Sequence, residues 1–146
     1  RSLQDATIRS RSEGFGAEVQ RRIMLGTFVL SEGYYEAYYG KAQKVRALIR
    51  QTLEDILQDA DAIVMPTTPT CAFRLGAHEQ DPVAMYLEDV FTVQAALAGL
   101  PAISVPLGVH TSGLPFGLQI IGRAFDEERL LGFAQQITSS PALRSS

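Results

Sequence analysis

Two charged side chains fall where the hydrophobic pattern leaves little room for charge. Between Ala17 and Leu30, the residues Val19, Ile23, Leu25, Val29 and Leu30 form a broad apolar arc at helical spacing, with Met24 and Phe28 as a second stripe. At about 100° per residue, Arg22 falls inside the arc, between Gly26 and Val29, and Arg21 lies near Phe28 at one edge. A guanidinium is expensive to bury alone. Either Arg22 pairs with Glu18, four residues earlier on the same side, or it presents a two-pronged fork to a carboxylate ligand. Asp89 poses the same question. Tyr86, Val90, Val93 and Leu97 make one apolar face, which Asp89 borders while Glu88 points away. Asp89 then either hydrogen-bonds a nearby loop or holds a cation or an ammonium group. Facing one cleft, such an arginine and aspartate would suit a zwitterion such as an amino acid.

Other chemistry is sparse. Ser104 lies in a short apolar strand with no base beside it, which reads as packing rather than as a nucleophile. His78 and His110 fall in loops and read as solvated. Together with Cys71 they give no metal-ligand spacing, so no metal site is expected. Gly14-Phe15-Gly16 lacks the preceding strand and the later glycine of a dinucleotide fingerprint. There is no phosphate-loop lysine motif and no Gly-x-Ser-x-Gly elbow.

The elements that must position these residues fit in one domain. The chain has 146 residues, 46% hydrophobic and 20% charged, with a net charge of -3 and a sequence pI of about 5.3. That composition excludes a disordered tail and a disulfide scaffold, and it gives no global grip on nucleic acid or an anionic membrane. No apolar run approaches the roughly 18 to 20 residues that span a bilayer. A single cysteine suits a reducing compartment. The chain opens at Arg1 without an initiator methionine and is expected to be a fragment. Helices are predicted over 17–30, 34–58, 83–97 and from Asp126, the last with Leu130, Leu131, Phe133, Ala134 and Ile137 on its buried side. The first of these is expected to be mostly buried, and the second to bury Tyr38, Ala42, Val45, Ile49, Leu53 and Ile56. A buried strand is predicted over 62–66 and further strands over 102–105 and 115–122, the last two as a hairpin; residues 1–16 read as polar chain and 139–146 as frayed. Helices alternating with strands argue an α/β fold.

Several blocks then become recognisable. Ser10-Arg11-Ser12-Glu13-Gly14-Phe15-Gly16, continuing through Gln20-Arg21-Arg22-Ile23-Met24 to Thr27, resembles the C-terminal region of the A subunits of glutamyl-tRNA(Gln) amidotransferases, as does Gly33-Tyr34-Tyr35-Glu36-Ala37-Tyr38-Tyr39 with Lys41-Ala42-Gln43-Lys44-Val45-Arg46. Pro66-Thr67-Thr68-Pro69, the run from Ala98-Gly99-Leu100-Pro101 to Ser104-Val105-Pro106, and Gly113-Leu114-Pro115-Phe116-Gly117-Leu118-Gln119-Ile120-Ile121-Gly122 are similar to the wider amidase-signature family. The likeness runs from about Arg9 to Ile137. Met65, where the family often has glycine, and Leu107, where it often has cysteine, are small departures that read as packing changes.

The resemblance implies an α/β/α sandwich around a mixed sheet, with about three strands and four helices in residues 1–146, a single domain. It implies a glutaminase subunit, which hydrolyses glutamine and passes ammonia to a partner that amidates Glu-tRNA(Gln). The family's serine–serine–lysine machinery lies in a glycine- and serine-rich segment that this sequence lacks, so no catalytic residue is assigned and the chain alone is expected to be inactive. Arg22 matches the arginine that holds glutamine's α-carboxylate, and Asp89 the aspartate that holds its α-amino group. Implied partners are the B and C subunits; ATP and magnesium belong to the partner subunit's reaction, and no cofactor is expected in this chain. A cytoplasmic protein is implied, or one of an organelle matrix in a eukaryote, with no membrane partner. The alternatives are part of a general amidase-signature amide hydrolase, or a docking module without chemistry. Lys41, Lys44, Arg46 and Arg50 do not form one stripe and read as solvated charge rather than a tRNA site. A small sheet with open edges is also expected to self-associate.

Overall fold

Ser2 starts the first helix of the computed structural model, which describes residues 2–78 and 81–140. The Ser2 Oγ accepts from the Asp5 N–H and the Asp5 carboxylate accepts from the Ser2 N–H, both at 3.1 Å. This reciprocal cap opens α1, Leu3–Ser12. Periodicity gives no hint of α1, because its few apolar residues, such as Leu3 and Ile8, are exposed. Gly14 closes the turn after it; a Cβ there would sit 2.7 Å from the Ser10 carbonyl oxygen. Next comes α2, Ala17–Val29, with no buried residue. The expectation that this helix is mostly buried is therefore corrected: Met24 is 72% and Leu25 59% exposed. Within its own unit, Phe28 of α2 packs against Tyr34, with ring centroids 4.3 Å apart.

The predicted second helix is not uniform. Residues Tyr35–Gly40 form a π turn before α3, Lys41–Asp59. Contacts divide the chain into two compact units, Arg1–Val45 and Arg46–Ser146. In the second, the buried stripe of α3 is Leu53 and Leu57 with Ile49 packed beside them. Ile56, assigned to that stripe from the sequence, is 46% exposed; the i, i+4 ladder continues to Leu57 instead.

Three strands follow: β1 (Ile63–Pro66), β2 (Ala102–Val109) and β3 (Pro115–Ile121), in the order β1-β3-β2 with both pairings antiparallel. The predicted hairpin of β2 and β3 is present. The mixed sheet implied by the resemblance is not represented in these three strands. The first strand is only half-buried along alternate residues, not buried throughout. The second runs on past Pro106, with a register shift between Pro106 and Gly108. Pro106 lacks an N–H but sits on the outer strand of the three, where a donor is dispensable.

The predicted third helix is two: α4 (Pro82–Leu87) and α5 (Thr92–Ala98), joined by a turn over 88–91. Asp81 caps α4, its carboxylate accepting from the Val83 and Ala84 N–H groups at 3.1 and 3.0 Å. Gly99, at φ 73°, stops α5 in the left-handed conformation that favours glycine. The last helix, α6, spans Glu127–Ser139. Asp126 occupies its N-cap position, but its side chain makes no cap bond. Leu130 and Ala134 are buried, while Leu131 is 58% exposed. Ser139 is still helical, and the rest of the predicted frayed end from 141 onward lies outside the described residues. Six α-helices are thus described rather than four, the additions being α1 and the split over 82–98.

The α/β class holds, and the sheet carries helices on both faces. Ile121 packs with Leu53, Leu57, Ala95, Ala98 and Leu100. Its neighbour Ile120 packs with Val105, Leu130 and Ala134. Successive strand residues point to opposite faces, so α3 and α5 cover one side and α6 the other. Ile120 and Ile121 are at most 1% exposed, each burial favourable by about 1.5–3 kcal/mol.

Candidate functional site

The central strand carries a polar row on the face of Ile121. Gln119, two residues away, is a register partner of both Met65 and Ser104. Gly117, two further on, has no side chain, and its site could take none. A Cβ there would lie 2.8 Å from Thr67 Oγ1 and 2.9 Å from Ser104 Oγ. Those hydroxyls are 2.6 Å apart, and the Thr67 N–H donates to the Gly117 carbonyl at 3.0 Å. Ser104 is exposed, and its hydrogen-bond partner is a hydroxyl, which is no general base.

Gln119 is 3% exposed. Its Nε2 donates to the Phe91 carbonyl oxygen at 3.0 Å, in the turn between α4 and α5. A second tie holds the same turn. The Thr70 Oγ1 lies 3.0 and 2.9 Å from the two Glu88 carboxylate oxygens. His78 Nε2 is 4.0 Å from Glu88, and the His78 ring stands edge-on to Phe73, centroids 4.4 Å apart. The expected roles of neighbouring residues are therefore exchanged. Glu88, expected to point away, is the tethered carboxylate, its side chain 16% exposed. Asp89 is exposed, and its carboxylate makes no hydrogen bond or ion pair among the described residues. The helix break turns one residue in and the next out. His78, read as solvated, is in fact half-buried against this tether.

A cavity of about 350 Å³ adjoins the polar row, with Thr68, Thr70, Cys71, His110, Ser112 and Gly117 in its wall. His110 is exposed at the β2–β3 turn. Its Nδ1 accepts from the Ser112 N–H at 3.2 Å and lies 2.9 Å from Ser112 Oγ. Among the described residues, no three His, Cys, Asp or Glu side chains gather to hold a metal ion, and no helix is long and apolar enough to cross a membrane.

Arg22 belongs to the first unit. Its side chain is 64% exposed, and its Nε donates to Glu18 Oε1 at 2.9 Å. The other Glu18 oxygen accepts from Arg21 at 2.6 Å. The local pairing weighed from the sequence is thus present, in a water-exposed form worth a few tenths of a kcal/mol. Of the four cationic residues weighed for tRNA, Arg46 donates to the Leu97 carbonyl at 2.8 Å and Arg50 pairs with Glu54 at 2.8 Å. Arg46 thereby serves the C-terminal end of α5.

Sequence reasoning missed Gln119 and Glu88. A signal for Gln119 was available: an amide inside Leu118-Gln119-Ile120-Ile121 must find a partner when buried. Nothing local marks Glu88, whose partner lies 18 residues away.

Comparison with known proteins completes the description. The family model described as Amidase matches residues 1–131. The chain is 58% identical over 151 aligned residues to the A subunit of glutamyl-tRNA(Gln) amidotransferase from Granulibacter bethesdensis, covering 99% of this chain and 30% of the relative. It is 62% identical over 125 residues to the protein of the same name from Brevibacillus brevis, covering 86% of this chain and 26% of the relative. The crystal structure of the A subunit of glutamyl-tRNA(Gln) amidotransferase from Thermotoga maritima superposes with a TM-score of 0.70 at 50% identity, over 94% of this chain and 30% of that one. The chain therefore spans less than a third of the length of these relatives.

Proposed function

The chain belongs to the amidase family, and from that premise we propose that it is the substrate-gripping part of the A subunit of a glutamine-dependent amidotransferase. Its role is to hold glutamine while ammonia is released for the conversion of Glu-tRNA(Gln) to Gln-tRNA(Gln). The observation that carries this reading is the 58–62% identity to subunits of that name over nearly the whole chain. Arg22 grips the α-carboxylate. Its guanidinium is permanently charged and, braced through Glu18, projects into water from α2. Asp89 grips the α-ammonium group. It sits outward on a turn fixed from below by Gln119 and from the side by Glu88.

The amide chemistry itself is assigned to residues outside this sequence, and residues 1–146 are read as part of one amidase domain, inactive alone. Partner B and C subunits would take up the ammonia, and ATP with magnesium would activate the tRNA-linked glutamate on the partner. This whole reaction is placed in the cytoplasm or an organelle matrix.

The test uses the full-length protein assembled with its partner subunits. A charge-assisted hydrogen bond contributes about 1.5–3 kcal/mol, and about 1.4 kcal/mol is tenfold. Arg22→Ala or Asp89→Ala should therefore raise the glutamine KM by about ten- to a hundredfold. Arg22→Lys should also bind poorly, because an ammonium cannot make a planar fork. Transamidation driven by free ammonium should persist in all three. A glutamine KM within about twofold of wild type in both alanine variants, far below the effect expected of a lost charged bond, would make these residues structural.

A further inference from the structure

We propose that Gln119 is a positioning residue that fixes the turn between α4 and α5, and thereby sets where Asp89 meets the substrate's ammonium group. The inference rests on the glutamine reading for its substrate, but its structural half stands on the turn alone. Residues 83–97 contain no glycine or proline and carry a helical apolar pattern. Their local preference is one continuous helix, which is what the sequence predicts. The chain nevertheless breaks at 88–91. Within the break, the Asp89 N–H donates to the Tyr86 carbonyl at 3.2 Å and the Val93 N–H to the Asp89 carbonyl at 2.9 Å. Something outside the segment must hold the break open.

Gln119 is suited to that task. It is the buried polar side chain of the central strand, so its own backbone is fixed by pairing on both sides. Its Nε2 reaches the Phe91 carbonyl, 28 residues distant in sequence and two residues beyond Asp89. A rigid donor placed there selects the broken form, in which Asp89 faces out and Glu88 faces Thr70. In a continuous helix the positions of both carboxylates would rotate with the restored turn. Gln119 touches no reacting group; it acts through Phe91 and Asp89.

The experiment compares Gln119→Met, which keeps an unbranched chain and loses the donor, with wild type in the full-length protein and its complex. Amide hydrogen exchange over 88–93 should rise by about tenfold or more, while α6 stays unchanged. The glutamine KM should rise about three- to tenfold, with ammonium-driven transamidation retained. In an Asp89→Ala background, adding Gln119→Met should raise KM no further, because the two act through one contact. Unchanged exchange over 88–93 would overturn the proposal whatever becomes of Asp89. So would a loosened turn with an unchanged KM where Asp89→Ala alone raises it, or a rise in α6 exchange equal to that of the turn. Failure of the glutamine reading has a different signature: Asp89→Ala itself leaves KM unchanged, and the substrate half of the proposal falls with it.

Discussion

Arg22 and Asp89 are held in opposite ways. The arginine is carried by α2 and pairs with Glu18, four residues earlier on the same helix. No residue of α1, α2 or the π turn is buried. The aspartate stands on a turn that local preference would abolish, kept by hydrogen bonds to partners 18 and 28 residues away. Below that turn lies a sheet packed on both faces. One charged residue is thus tied to its own helix, the other to a turn held by a core that overrides propensity. The two kinds of placement should respond to mutation differently.

The sharpest contrast is in the core. Ile121→Ala should destabilise the second unit by about 2–5 kcal/mol, because a fully buried side chain leaves a cavity. Met24→Ala, at an exposed position of α2, should stay within about 0.5 kcal/mol. Urea unfolding followed by circular dichroism measures both, and equal losses would erase the contrast. Glycines give a second pair. Gly117→Ala pushes a methyl against the Thr67 and Ser104 hydroxyls and should cost about 1–3 kcal/mol. Gly26→Ala, in mid-helix with nothing within 4 Å of the new Cβ, should stabilise by about 0.5–1 kcal/mol. Opposite signs in thermal unfolding are expected; a harmless Gly117→Ala would mean that the hydroxyl pair is loose. The smallest effect concerns Glu18. Glu18→Gln removes two exposed ion pairs and should destabilise α2 only slightly, by about 0.3–1 kcal/mol in all, read as a small loss of helical circular dichroism. That loss should fade as salt is raised.

The same division explains what could be read in the sequence. Helix α2, the ladder through Ile49 and Leu53, the β2–β3 hairpin and the stop at Gly99 all follow from spacing and turn chemistry within a few residues. So does the Arg22–Glu18 pair. Other features needed the tertiary structure. The break at 88–91 contradicts its own periodicity, because Gln119 and Thr70 reach it from outside. The apolar arc of α2 overstates its burial, since a wheel shows what a helix could bury and not what covers it. Helix α1 is invisible to periodicity for the reverse reason: it is set by its Ser2–Asp5 cap and buries nothing. Placing Arg22 and Asp89 at a substrate drew on family resemblance, because geometry alone left a bland reading open for each.

The most direct test of the glutamine grip changes the ligand along with the protein. Glutamine and its α-carboxamide, which lacks the carboxylate charge, are compared as amide donors with wild type and with Arg22→Ala, in the full-length protein and its complex. For wild type, loss of the charge should raise KM about ten- to a hundredfold. For Arg22→Ala the two donors should differ by no more than about twofold, because the partner of the missing charge is gone already. If Arg22→Ala discriminates between the two donors as strongly as wild type, the carboxylate is held elsewhere and the account of Arg22 is wrong.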